Sequence, residues 1–413
     1  MLALGELGAS PQPASGTGAS SSSAPSRPAS ASSRAVASVP ATAATVGPDE
    51  PCKEFRMQLL ELAFRTASCI PLNPHLRDRS RCQYSVVTAC LELRQPAMAL
   101  GYMEQIPDWR RGAAYADLAL YCARLNRLGP VDDLIVKAQK IAQAAEDWRR
   151  DEIRVRIAHA RELAGRGGEL PDDLDDSQKG KLAAAARVND AEFDEQVRKL
   201  DQYLASPQFD TVRNALLSAA AMHEVHYGNA GRRALLEARI RDNWRPMPLF
   251  IRADLLVRIA RTAAANKDSA AALKIADEVD EMLQTGEWPL GFRLAASAAL
   301  ARVRGEAGDA RGAASRLDTA WKAYTDGRED VTDVERVAMI LPLAEAAFAI
   351  GEKSLAMAMY GQAVKDGSHN PNSRPRAIDL TAICVGLAVS GMEPDESLWK
   401  ELRAMNQSLG SPW

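Results

Sequence analysis

The residues nearest to a reactive constellation are His223-Glu224-Val225-His226, two imidazoles flanking a carboxylate. A helix-borne zinc protease site sets its histidines four residues apart and uses the glutamate as general base. Here the offset is three, which still presents both rings on one side of a helix, but no third ligand is found nearby. Gly228 places both histidines in the last helical turn, where a cationic ring suits the helix dipole. Aspartates at 172, 173, 175 and 176 raise the question of calcium. A calcium loop needs glycine at its sixth position and glutamate at its twelfth. Counted from Asp173 those places hold Gln178 and Ala184, so the stretch reads as a solvated acidic loop. Cys52, Cys69, Cys82, Cys90, Cys122 and Cys384 contain no Cys-x-x-Cys pair, which removes zinc-ribbon and thioredoxin chemistry. They are expected buried and reduced, with disulfides open only in an oxidising compartment. His75, His159 and His369 are isolated, and no nucleotide loop or nucleophile elbow is present. The expectation is no catalytic residue, no metal and no cofactor.

The elements that carry these side chains announce themselves by period. Asn266-Lys267-Asp268, Ala307-Gly308-Asp309 and Ile350-Gly351-Glu352 lie 41 and then 43 residues apart, and Gly391 stands 40 after Gly351. Alanine-rich segments with helical spacing flank each marker, so the unit is two helices joined by a tight turn and stacked on the next unit. From Gly308 the count finds Ala313, Leu317 and Ala320 downstream and Leu300-Ala301 upstream. From Gly351 it finds Ala356, Tyr360, Ala363 and Leu343-Ala344; from Lys267 it finds Ala272, Ala276, Val279 and Ile259-Ala260. Small residues let two helices cross closely while a larger one fills the gap a turn away.

These positions resemble the tetratricopeptide repeat over residues 250–365, with a period nearer 41 than the family's ~34. The resemblance implies an all-α solenoid of antiparallel helix pairs whose first helices line an inner surface. Carried onto matching positions, that surface holds Asp254, Arg261, Arg302, Glu306, Glu345 and Phe348. Their mixed charge departs from the basic-and-amide clamp of the family's chaperone-binding members. The expected function is a non-catalytic scaffold holding a peptide or helix of a protein partner. An all-helical enzyme with an acid/base carboxylate pair is the alternative, and RNA-binding helical repeats are a third.

Asp108-Trp109-Arg110-Arg111 recurs 39 residues on as Asp147-Trp148-Arg149-Arg150, with related junctions at Trp244 and Trp288. Such a ring can cover the end of one helix pair while its polar neighbour caps the next. The sharper alternative makes Trp109 and Trp148 aromatic anchors for a ligand.

Charge is nearly balanced, 51 basic against 54 acidic residues, which argues against nonspecific nucleic-acid or membrane-surface binding. No apolar run approaches the ~18 residues of a spanning helix. A soluble cytoplasmic protein is expected, or a periplasmic or secreted one if the true start lies upstream. Residues 1–50, rich in alanine, serine and proline, read as a disordered tether. Helical blocks are expected over 51–164 and 181–413, divided by the Gly/Pro/Asp stretch 165–180. Expected details include Ser206 capping a helix that begins at Pro207, a capping box at Thr332 and Glu335, and a bend at Pro342.

Overall fold

The computed structural model describes residues 46–166 and 193–413. The expected tether up to 45, most of the acidic stretch and the beginning of the second block lie outside the described residues. Within them the chain is all-helical, with no strand. The helices are α1 (Glu54–Cys69), α2 (Leu72–Glu92), α3 (Pro96–Met103), α4 (Arg110–Arg124), α5 (Val131–Ala144) and α6 (Asp147–Leu163). After the undescribed stretch come α7 (Phe193–Leu204), α8 (Phe209–Val225), α9 (Ala230–Asn243), α10 (Leu249–Ala265), α11 (Ser269–Thr285) and α12 (Leu290–Glu306). The last are α13 (Ala310–Gly327), α14 (Asp333–Ala349), α15 (Lys353–Ser368), α16 (Ser373–Ser390) and α17 (Glu396–Gln407).

One backbone device repeats at the ends of first helices. Arg94, Asn126, Gly165, Lys267, Gly308, Gly351 and Gly391 all have positive φ, between 55° and 92°. A left-handed residue there ends the helix and reverses the chain. The next helix is then started by a carboxylate cap in several pairs: Asp268 accepts from the Ala271 N–H and Asp309 from the Gly312 N–H. Within pairs, α10 packs on α11, α12 on α13 and α14 on α15, and the first helices α8, α10, α12, α14 and α16 pack successively on one another. In the N-terminal block α2, α4 and α6 do the same. The crossings use the small residues the sequence points to, since Ala313 and Ala356 are both 0% exposed.

The two blocks meet through the ends of the chain. Helix α16 packs on α1 and α2. Ala377 near its start joins Ala67 and Ile70 at the end of α1 in one apolar cluster. At the opposite end the Arg56 guanidinium lies over Gly391, where a Cβ would overlap it. Helix α1 is therefore antiparallel to α16 and stands where the other pairs have their second helix. The largest core cluster accordingly mixes residues such as Leu59, Val86 and Leu118 with Ile340, Tyr360 and Ile383, and a second cluster spans residues 193–307.

Three sequence expectations change. The expected bound at residue 50 changes, because residues 46–50 belong to the packed fold: Val46 is 1% exposed, the Asp49 carboxylate accepts from the Ala97 N–H at 2.7 Å, and the Glu50 N–H donates to the Arg94 carbonyl. Asp49 thus caps α3, whose own preceding residue Gln95 makes no side-chain cap. Helix α8 begins at Phe209 instead of Pro207, because the Ser206 hydroxyl accepts the Gln208 N–H at 3.2 Å in a turn before the helix. Thr332 donates to the Glu335 carboxylate at 2.6 Å, so the two side chains satisfy each other and no capping box forms. Pro342, where a bend is expected, lies inside helix α14, which continues through it as one helix.

Candidate partner-binding face

Arg261 on α10, Arg302 on α12 and Glu345 on α14 each stand six positions before the left-handed residue closing their helix, Lys267, Gly308 and Gly351. Equal distance from that turn gives them one register on three helices packed in sequence. All three are half-buried. Arg302 keeps its Nε buried without a hydrogen-bond partner. Burial raises the Glu345 carboxyl above its ordinary range, and the Arg302 charge acts in the opposite direction. The Glu345 carboxylate lies over α16 at Gly386, where an added Cβ would stand 3.2 Å from Oε1 and 3.3 Å from the Tyr360 hydroxyl.

The other expected groove residues have different settings. Asp254 is half-buried and pairs with Arg258 on the same helix at 2.9 Å. Glu306 is exposed at the end of α12. Phe348 packs partly buried against the larger core, which spends its ring on packing.

The same face carries a group that the sequence did not single out. Asp117 on α4 and Arg156 on α6 each stand nine positions before Asn126 and Gly165, and Tyr84 on α2 stands ten before Arg94. A residue three or four positions earlier on a helix shares the face of those above. The Tyr84 hydroxyl donates to Asp117 Oδ2, and Arg156 Nε meets Asp117 Oδ1 at 3.2 Å while its Nη1 reaches Glu152 at 2.7 Å. Burial raises the Asp117 carboxyl against the opposing pull of Arg156 and Tyr84. Burial also raises the Tyr84 phenol, with the Asp117 charge adding to it. One carboxylate thus ties three successive first helices. The signal for it was the distance from the left-handed turn, hidden because Arg94 and Asn126 take that conformation without being glycine.

Trp109 and Trp148 touch edge to face, ring centroids 5.3 Å apart. Arg110 lies over Trp109 at 4.8 Å and Arg149 over Trp148 at 5.7 Å. Trp148 remains 50% exposed, so this junction presents aromatic surface as well as packing.

His223 is 0% exposed and meets Glu237 at 3.0 Å, which uses the imidazole as a link between α8 and α9. Among the described residues no cluster of three histidine, cysteine or carboxylate side chains could hold a metal ion. The six cysteines are free, with Cys82, Cys90, Cys122 and Cys384 buried. No described helix is long and apolar enough to cross a membrane. No protein-family model, no curated protein and no solved structure matches the chain.

Proposed function

We propose that the protein is a non-catalytic interaction scaffold, a TPR-like α-solenoid that holds an extended peptide or a helix of a protein partner along the polar face of its first helices. The observation that carries this reading is the shared register of Arg261, Arg302 and Glu345 on successive helices. Of these, Arg302 has a buried donor without a partner and Glu345 sits half-buried. A ligand that supplies an acceptor to the first and a donor to the second relieves both costs. Exposed charges on a helix face are individually worth little, so it is the partial burial of this row that argues for a bound partner.

The test is capture of partners from native extract by the parent and by a variant with Arg261→Glu and Arg302→Glu. Reversing two rungs is expected to abolish capture while the circular-dichroism melt is retained. Undiminished capture by the folded variant moves the partner off this face.

A further inference from the structure

At the starts of α10 and α12 lies a cleft of ≈ 330 Å³ walled by Leu249, Phe250, Trp288 and Phe292, with Glu287 as its one carboxylate. That volume is at the lower end of the ~300–1,000 Å³ of small-ligand clefts and has room for one long side chain. Trp288 stacks on Phe292 at 4.8 Å, and Phe250 meets Phe292 edge-on at 6.3 Å. The indole is held in place, because Nε1 donates to the Met282 carbonyl at 3.2 Å. Phe250 and Leu249 are 51% and 45% exposed. Glu287 is exposed and has no ion-pair partner among the described residues.

Elsewhere the chain shows what an indole and a carboxylate hold together. Arg110 lies over Trp109 at 4.8 Å while its Nη1 pairs with Asp108 at 2.7 Å. Arg241 lies over Trp244 at 5.4 Å while its guanidinium meets both carboxylate oxygens of Glu278, at 2.6 and 2.8 Å. Arg149 and Arg403 cover Trp148 and Trp399. The junction Glu287-Trp288-Pro289 repeats the acid and the indole of Asp108-Trp109-Arg110, with proline where the arginine stands. Among the described residues no cation lies over Trp288. We propose that this cleft receives an arginine side chain of a partner polypeptide, its stem along Phe250 and its guanidinium between the Trp288 ring and the Glu287 carboxylate. A guanidinium is planar and more weakly hydrated than an ammonium, so it stacks on an aromatic face while still donating to a carboxylate. The site is separate from the row at Arg261 and Arg302. Phe250 stands eleven positions before the one and Phe292 ten before the other, about 15 Å along their helices, which exceeds the reach of exposed charges in physiological salt.

The experiment titrates the full chain with the peptide acetyl-Gly-Arg-Gly-amide and follows the indole N–H resonance of Trp288 by NMR, assigned by its loss in Trp288→Phe. A saturable shift of that resonance at mM peptide is expected. The same peptide with citrulline, which keeps the shape of arginine without its charge, is expected to leave the resonance in place. Glu287→Gln and Phe250→Ala alter exposed side chains without touching the core, and each is expected to weaken binding about three- to tenfold. No shift with the arginine peptide, or an equal shift with the citrulline peptide, overturns the proposal. Equal binding of the lysine peptide or of tetramethylammonium would make this a general cation site and overturns the assignment to arginine. Binding indifferent to both Glu287→Gln and Phe250→Ala puts the arginine elsewhere and overturns the cleft. Combined replacement of Arg261 and Arg302 by glutamate is expected to leave the titration unchanged, so the two ideas fail separately.

Discussion

The Thr66 hydroxyl donates to the Asn406 side-chain oxygen at 2.8 Å, across 340 residues of chain. Thr66 belongs to α1 and Asn406 to α17, and the same seam includes Arg374 with Asp78 at 3.2 Å and the burial of Leu60, Ala63 and Ile383 at 0% exposure. The contact between blocks is thus a packed core and does not depend on the peptide bonds between residues 167 and 192. A specific protease site inserted in that stretch is expected to yield two pieces that co-elute on size exclusion and unfold in one transition. Pieces that separate without denaturant would show the seam to be too weak to hold the blocks.

Ala313 and Ala356 are fully buried at the crossings of α12 with α13 and of α14 with α15. Replacement of either by leucine is expected to overpack the crossing and cost about 1–3 kcal/mol in urea unfolding. Ala63, equally buried where α1 meets α16, is expected to respond alike if that pair is built as the others are. Parent-like unfolding of Ala63→Leu would mean that α1 sits more loosely than an ordinary second helix.

The register of the C-terminal pairs was legible because Gly308, Gly351 and Gly391 take φ values of 82° to 92°, which only glycine adopts freely. In the N-terminal block Arg94 and Asn126 make the same turn with side chains, so no glycine period marks it. Asp117 and Arg156 consequently could not be aligned with Arg302 and Glu345. The pairing of α1 with α16 has no local sequence signal at all: Gly391 looks like every other turn glycine, yet the helix packed against α16 in the second-helix position comes from the other end of the chain. Caps were partly legible: an aspartate directly before a helical stretch is an N-cap signal, and Asp395, just ahead of α17, accepts from the Leu398 N–H. Thr332 misled because its hydroxyl found the Glu335 side chain before any backbone donor.

Asp117 binds Arg156 with 25% and 27% of the respective side chains exposed. Loss of one partner from a fully buried pair costs about 3–5 kcal/mol, and a surface pair is worth about 0–1 kcal/mol. The intermediate exposure puts Asp117→Ala at about 1–3 kcal/mol, measured by urea unfolding. Adding Arg156→Met is expected to restore part of the loss, because the half-buried cation, left with Glu152 alone as counter-charge, is then gone. A double variant no better than Asp117→Ala would place the loss in the Tyr84 hydrogen bond instead.

Asp379 on α16 is 6% exposed, and burial pushes its carboxyl from 3.8 up to about 8. The Asn370 amide, donating at 2.7 Å, opposes that rise, and the charge of Asp366 adds to it. In the unfolded chain the group titrates near ~3.9. Between those two values the folded protein holds a proton that the unfolded chain has released, so stability falls as pH rises through the window. The contribution is whole below about 4 and fully lost above about 8, with a slope of at most ~1.4 kcal/mol per pH unit. Asp379→Asn replaces the protonated carboxyl by a neutral amide whose oxygen still accepts from Asn370. Its Tm is expected to decline less than the parent's between pH 5 and 8.5 and to exceed it at the upper end. Parallel curves for the two proteins would show that Asp379 is already ionised at pH 5, with its charge balanced by some other group.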